Sequence, residues 1–228
     1  MKNSIIIAAA VIIAGAMLPI SVAKLKSYDR TVDVRGLCER EVKADKVIWP
    51  LTYKVVGNEL SDALKETDRY NKYIIEFLVK GGIKESEISV SASQISDKFA
   101  NEYGNNDRVY RYLCTNVITV CTSNVDAVLK LRSHQDELLK EGIPLSENWE
   151  NRTEFKFEAL NDIKPEMIAE ATASAREAAQ KFAKDSASKL GKIKQASQGV
   201  FSIEDRDSNT PELKKVRVVT SVTYYLNR

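Results

Sequence analysis

Residues 47–82 read Val-Ile-Trp-Pro-Leu-Thr-Tyr-Lys-Val-Val-Gly-Asn-Glu-Leu-Ser-Asp-Ala-Leu-Lys-Glu-Thr-Asp-Arg-Tyr-Asn-Lys-Tyr-Ile-Ile-Glu-Phe-Leu-Val-Lys-Gly-Gly, and their hydrophobic period changes once. Val47, Trp49, Leu51, Tyr53 and Val55 alternate, which places them on one face of a half-buried strand. Leu60, Leu64, Thr67, Asn71, Ile74 and Leu78 then follow helical spacing. Asn58 or Ser61 can cap that helix, and Gly81-Gly82 ends it by supplying a left-handed residue. Pro50 has no N–H for a ladder, so it marks an edge or a bulge. A strand leading into a long amphipathic helix points to a mixed fold.

Outward from that stretch the same two periods recur. Asp29–Glu41 reads as a strand containing Gly36, and residues 43–46 as a turn. On the other side come a strand at Ile88–Ile95, a polar hairpin loop at 96–107 and a return strand at Arg108–Thr122. In the return strand Tyr110, Tyr112, Cys114, Asn116, Ile118 and Val120 share a face. Ser123 or Asn124 caps a second helix with stripe Val125, Val128, Leu129, Leu138 and Leu139, stopped by Gly142. A strand at Trp149–Ala159 follows. The longest helix is expected from Pro165 to Leu190, with stripe Ile168, Ala171, Ala175, Ala178, Phe182 and Leu190, and Gly191 ends it. Strands at Lys192–Ile203 and Lys214–Asn227, joined by 205–211, close the chain. The order β-β-α-β-β-α-β-α-β-β predicts an α+β fold, mainly antiparallel sheet with three packed helices, preceded by an N-terminal apolar helix. Residues 142–152 are the candidate hinge between subdomains.

Residues 3–23 carry no charge, and Ile5–Ile20 is almost wholly apolar. As a helix they span about 31 Å, against a bilayer core of about 30 Å. Two readings stand. Ser21-Val22-Ala23 offers small residues for cleavage of a signal peptide before Lys24; Lys24 and Lys26 suit the end of an uncleaved membrane anchor. Both place the domain of residues 24–228 outside the cytoplasm: periplasmic, or inner-membrane anchored with the domain in the periplasm. The whole chain has 34 basic and 32 acidic residues, intermixed, which leaves no electrostatic footprint for nucleic acid.

The chemistry-bearing residues are few. Three cysteines cannot complete a disulfide framework. Cys114 and Cys121 lie on opposite faces of one strand, and Cys38 pairs with one of them or all three are small buried hydrophobes. His134 is the only histidine, on a polar helix face, so a histidine metal cluster is ruled out by count. Glu204, Asp205 and Asp207 read as a solvated turn. No phosphate-binding glycine loop, nucleophile elbow or dinucleotide fingerprint occurs, and neither an enzyme, a cofactor nor a metal site is expected. Of the strand aromatics, Trp49, Tyr53, Tyr110 and Tyr112 are the candidate interaction surface, beside their commoner role in packing.

Several ordered patterns resemble one family. Val34-Arg35-Gly36 followed by Val42-Lys43-Ala44-Asp45 is similar to its first hairpin. Gly81-Gly82-Ile83 then Glu87-Ile88, and the stretch Tyr112-Leu113-Cys114-Thr115-Asn116-Val117, follow in order. Phe155-Lys156-Phe157, Ala175-Arg176-Glu177-Ala178 and Leu190-Gly191-Lys192 complete the set. Together these resemble the SIMPL-domain proteins, which include periplasmic immunogenic proteins, an oxidative-stress defence protein and a protein that binds a Pelle-like kinase. Two loops depart from the pattern: Ser96-Asp97-Lys98-Phe99 stands where Pro-x-Tyr is expected, and Gly142-Ile143-Pro144 where Gly-Ala-Asn is expected. The resemblance carries no catalytic residues. It implies an exported protein with a capacity for homo-oligomerisation or binding an envelope partner, and an association with the envelope or oxidative stress. A periplasmic small-molecule or peptide binder is the alternative.

Overall fold

The computed structural model describes residues 30–100, 109–146 and 151–227. The apolar segment 1–23, most of the hairpin loop and Trp149 lie outside the described residues. The strands are β1 (Thr31–Lys43), β2 (Lys46–Gly57), β3 (Ile88–Val90), β4 (Gln94–Asp97), β5 (Tyr112–Thr122), β6 (Glu154–Lys156), β7 (Lys189–Gln198), β8 (Ser202–Asp205) and β9 (Leu213–Asn227). The helices are α1 (Leu60–Lys80), α2 (Val125–Ser133), α3 (Asp136–Lys140) and α4 (Leu160–Asp185), with a 3-10 turn at Glu85–Glu87. The α+β expectation holds, in two separate sheets. β1 and β2, expected to form a hairpin, belong to different sheets. Among the described residues no helix is long and apolar enough to cross a membrane.

The chain divides into two compact units: Met1–Glu41, Leu160–Glu204 and Lys215–Arg228 form the first, Val42–Ala159 and Asp205–Lys214 the second. The stretch 142–152, expected as a hinge, falls within the second unit, and the chain passes between the units after Glu41, Ala159, Glu204 and Lys214.

In the first unit the sheet order is β1-β9-β7, with β8 also beside β9. β9 alternates buried and exposed from Lys214 to Tyr224, as its sequence requires. α4 buries Met167, Ala171, Ala175, Ala179 and Ala183, a strict four-residue repeat. The expected stripe is therefore rotated: Phe182 is 60% exposed, and Ala179 and Ala183 take the inward positions. The small stripe brings helix and strand backbones together. A Cβ added at Gly36 would lie 1.8 Å from the Ala171 carbonyl oxygen and 2.5 Å from the Ala175 nitrogen. Pro165 sits inside the first turns of α4 rather than opening it. The helix ends at Asp185, before Gly191, and Gly191 is part of β7. Ala187 supplies the left-handed residue (φ 51°), with Ser188 N–H bonded to the Ala183 carbonyl at 2.8 Å. β7 is exposed along most of its length.

In the second unit the order is β3-β5-β2-β6, with β4 also beside β5, and every measured pairing is antiparallel. Trp49, Tyr53, Ile74, Leu78, Ile118 and Val120 are almost fully buried between the sheet and the helices. The N-cap of α1 is Glu59, which makes no side-chain cap; Asn58 instead accepts the Arg111 N–H at 3.1 Å. Both glycine stops match the sequence reading. Gly82 (φ 94°) and Gly142 (φ 78°) are left-handed, and each is followed by an isoleucine whose N–H bonds five residues back, Ile83 to Leu78 and Ile143 to Leu138. The second predicted helix is split into α2 and α3 at His134 and Gln135. The expected strand at 149–159 is reduced to the three residues of β6.

Candidate functional site

Pro50 explains a gap in the second sheet. β2 pairs with β6 only at Lys46–Ile48, and then with the strap at Leu145–Ser146, where Ser146 N–H bonds the Thr52 carbonyl at 2.8 Å. Antiparallel strands alternate the direction of their backbone groups, so Pro50 faces the same side as Thr52. Its missing N–H falls where β2 has, on that side, no strand partner among the described residues, which fits the edge expected from sequence although β2 pairs with β5 on its other side.

A recess of about 180 Å³ opens at this gap. Trp49, Pro50, Leu51 and Thr52 form one wall; Arg132 and Gln135, at the break between α2 and α3, form another. Leu145, Ser146, Asn151, Arg152, Thr153 and Pro211 complete it. Thr52 is 2% exposed, and its Oγ1 is buried without a hydrogen-bond partner. No side-chain hydrogen bond joins Arg132, Gln135, Asn151 or Thr153 to another described residue.

Behind the sheet a polar network crosses the core. Tyr53 hydroxyl donates to Asn71 Oδ1 at 2.6 Å and lies 3.1 Å from the Thr67 carbonyl. Asn116 Nδ2 donates to Tyr53 at 3.1 Å and to Asn71 at 3.0 Å, and Ser91 donates to Asn116 Oδ1 at 3.1 Å. Burial pushes the Tyr53 hydroxyl up to about 12, so it stays a donor. This network ties α1, β2 and β5 in register.

The four aromatics proposed as an interaction surface do not share one. Trp49 (2% exposed) and Tyr53 (0%) are core. Tyr112 is partly buried, with the Arg111 guanidinium 5.0 Å from its ring centre. Tyr110 is 49% exposed and follows Val109, which is 72% exposed; Phe99, on the β4 side of the loop, is 57% exposed. Arg111 bonds Asp97 at 3.0 and 3.1 Å there and holds its carboxyl below the usual carboxylate range.

His134 Nδ1 lies 2.8 Å from the Lys130 carbonyl, an acceptor only, so that nitrogen carries the proton and cannot take one from Ser133. The Asp207 carboxylate accepts the Asn209 and Thr210 N–H groups at 2.8 Å, and the Thr210 and Arg206 side chains, which hold it well below its ordinary pKa. All three cysteines are free; Cys38 and Cys114 are buried as expected, but Cys121 is exposed on the outer face of β5. Cys38 Sγ lies 3.0 Å from Glu170 Oε2, and burial together with that carboxylate pushes the thiol up to about 11. Arg132, Thr52, Gln135, Asn151 and Thr153 went unnoticed in the sequence. The single signal for their site was a proline inside an alternating strand.

Together these features define an α+β protein of two antiparallel sheets with packed helices and, in the second unit, a recess lined by polar and apolar side chains. The chain matches the family model SIMPL, Protein of unknown function (DUF541), over residues 32–224, and it belongs to that family. The match reaches past the resemblance seen in sequence and takes in most of β9. No curated protein matches the chain.

Proposed function

We propose that this chain is a non-enzymatic SIMPL-domain protein, exported to the periplasm or held at the inner membrane by residues 1–23, that self-associates or binds an envelope partner and contributes to stress tolerance. The observation that carries the reading is the set of exposed apolar side chains flanking the β4–β5 loop. Ile95, Phe99, Val109 and Tyr110 are 46%, 57%, 72% and 49% exposed, a concentration of large apolar side chains on the two sides of one loop. Exposed clusters of this kind mark contact surfaces. Export is supported by the uncharged run of residues 3–23. Light scattering across a concentration series tests the association: wild type gains mass with concentration, and the Phe99→Ser/Val109→Ser double variant stays monomeric. A strictly monomeric wild type removes self-association.

The recess favours a second reading, a periplasmic protein that binds a small molecule or peptide. Its support is the convergence of unpartnered polar side chains on a concave site.

A further inference from the structure

The recess beside Pro50 carries an inference that rests on the ligand-binding reading and names its chemistry. We propose that it takes a small oxyanion, a carboxylate or a phosphate, with Arg132 as the charged donor.

The described lining contains arginine, amide and hydroxyl side chains and no carboxylate. Arg40, Arg69 and Arg111 each have a carboxylate oxygen at 2.6 to 3.0 Å, and, apart from Arg132, the described arginines without one, Arg30, Arg35 and Arg176, are exposed. Arg132 is partly buried and has no such partner among the described residues. Its guanidinium offers donors only, in a fork that fits two oxygens of one carboxylate or phosphate. Gln135 and Asn151 add amide N–H groups, and Thr153 a hydroxyl. The Thr52 hydroxyl is closed off from the open volume and takes no part. Arg132 thus supplies donors that no described carboxylate meets, and the matching ligand is one that accepts. Its volume of about 180 Å³ is a few times that of a water molecule, so it holds one anionic group rather than a whole cofactor.

The full-length protein in mild detergent is titrated with sodium phosphate, sodium acetate and acetamide at constant ionic strength, with chloride as the control. Trp49 lines the recess and supplies a fluorescence readout, with thermal melting as the second. The expected result is a saturable response to phosphate or acetate and none to chloride. Phosphate alone assigns phosphate esters, acetate alone assigns carboxylates. Arg132→Gln weakens the binding about tenfold or more, the loss of a charge-assisted pair, at an unchanged melting temperature. Equal binding by wild type and Arg132→Gln overturns the assignment. A saturable response to acetamide alone overturns the anion chemistry and leaves the ligand-binding reading standing. Silence to all three overturns both.

Discussion

The two units solve helix-on-sheet packing in opposite ways. In the first, α4 presents alanines every four residues, and its backbone comes so near β1 that only a glycine fits at position 36. In the second, α1 and α2 meet their sheet through Trp49, Ile74, Leu78, Val128 and Leu131, and a polar network of Tyr53, Asn71 and Asn116 runs through the contact. The first arrangement gains close backbone packing and leaves no room for error. The second buries more apolar surface per residue, and depends on every buried polar group finding its partner. The units should therefore fail under different substitutions.

The largest effect is expected at Gly36. Gly36→Ala drives a methyl into the Ala171 carbonyl, a backbone atom that cannot move without the helix. A cost of about 3 kcal/mol, the upper part of the range for overpacking, follows. Hydrogen exchange should show β1, β9 and α4 losing protection. Exchange rates equal to wild type across those elements would mean that helix and strand are further apart than described.

Next come the buried thiols, which separate the units chemically. Cys38 has its pKa raised to about 11 by burial and by Glu170. At pH 8 it holds roughly a hundredfold less thiolate than an ordinary cysteine. Alkylation at pH 8 should reach the exposed Cys121 and spare Cys38 and Cys114. The fold favours the protonated Cys38, so the unfolded chain loses that proton first. Stability contributed by Cys38 is thus full below about pH 8.5 and declines as pH rises toward about 11. Fast labelling of Cys38 at pH 8 would break the description of that site.

In the second unit the matching test is Asn116→Leu. The shape is nearly kept, but the Ser91 hydroxyl loses its acceptor and the Tyr53 and Asn71 oxygens each lose a donor, while Tyr53 still donates to Asn71. Stranding those groups should cost about 2 kcal/mol in denaturant unfolding followed by Trp fluorescence. A neutral result would show that the network rearranges around an apolar residue.

How much of this was legible in sequence follows the same division. The alternation in β2 and β9 and the glycine stops at Gly82 and Gly142 were readable because each is a local pattern with a local cause. The stripe of α4 was misjudged because Ala178 and Ala179 are indistinguishable by hydrophobicity, and only the approach to Gly36 decides which faces in. Asn116 sat correctly on the inner face of β5, yet nothing nearby in sequence named Asn71 or Tyr53 as its partners. The recess was least visible of all. It joins a strand edge, a helix break and the separate stretches 145–146 and 151–153, and the sequence showed only the proline at its centre.

The smallest predicted effect returns to the helix ends. The second unit ends α1 and α3 with left-handed glycines, whereas the first ends α4 with Ala187 at φ 51°. The hydrogen-bond pattern is the same: Ser188 N–H reaches the Ala183 carbonyl as Ile83 N–H reaches that of Leu78. The missed helix end follows directly, since the sequence offers its next glycine only at Gly191, inside β7. An L-residue with a Cβ in this region costs roughly 1 kcal/mol relative to glycine. Part of that gain is lost because glycine has more freedom in the unfolded chain. Ala187→Gly should therefore stabilise the first unit by somewhat under about 1 kcal/mol, seen as slower exchange in α4 and β9 with β2 and β5 unchanged. A destabilised variant would mean that the methyl of Ala187 makes a contact worth more than the strain it carries.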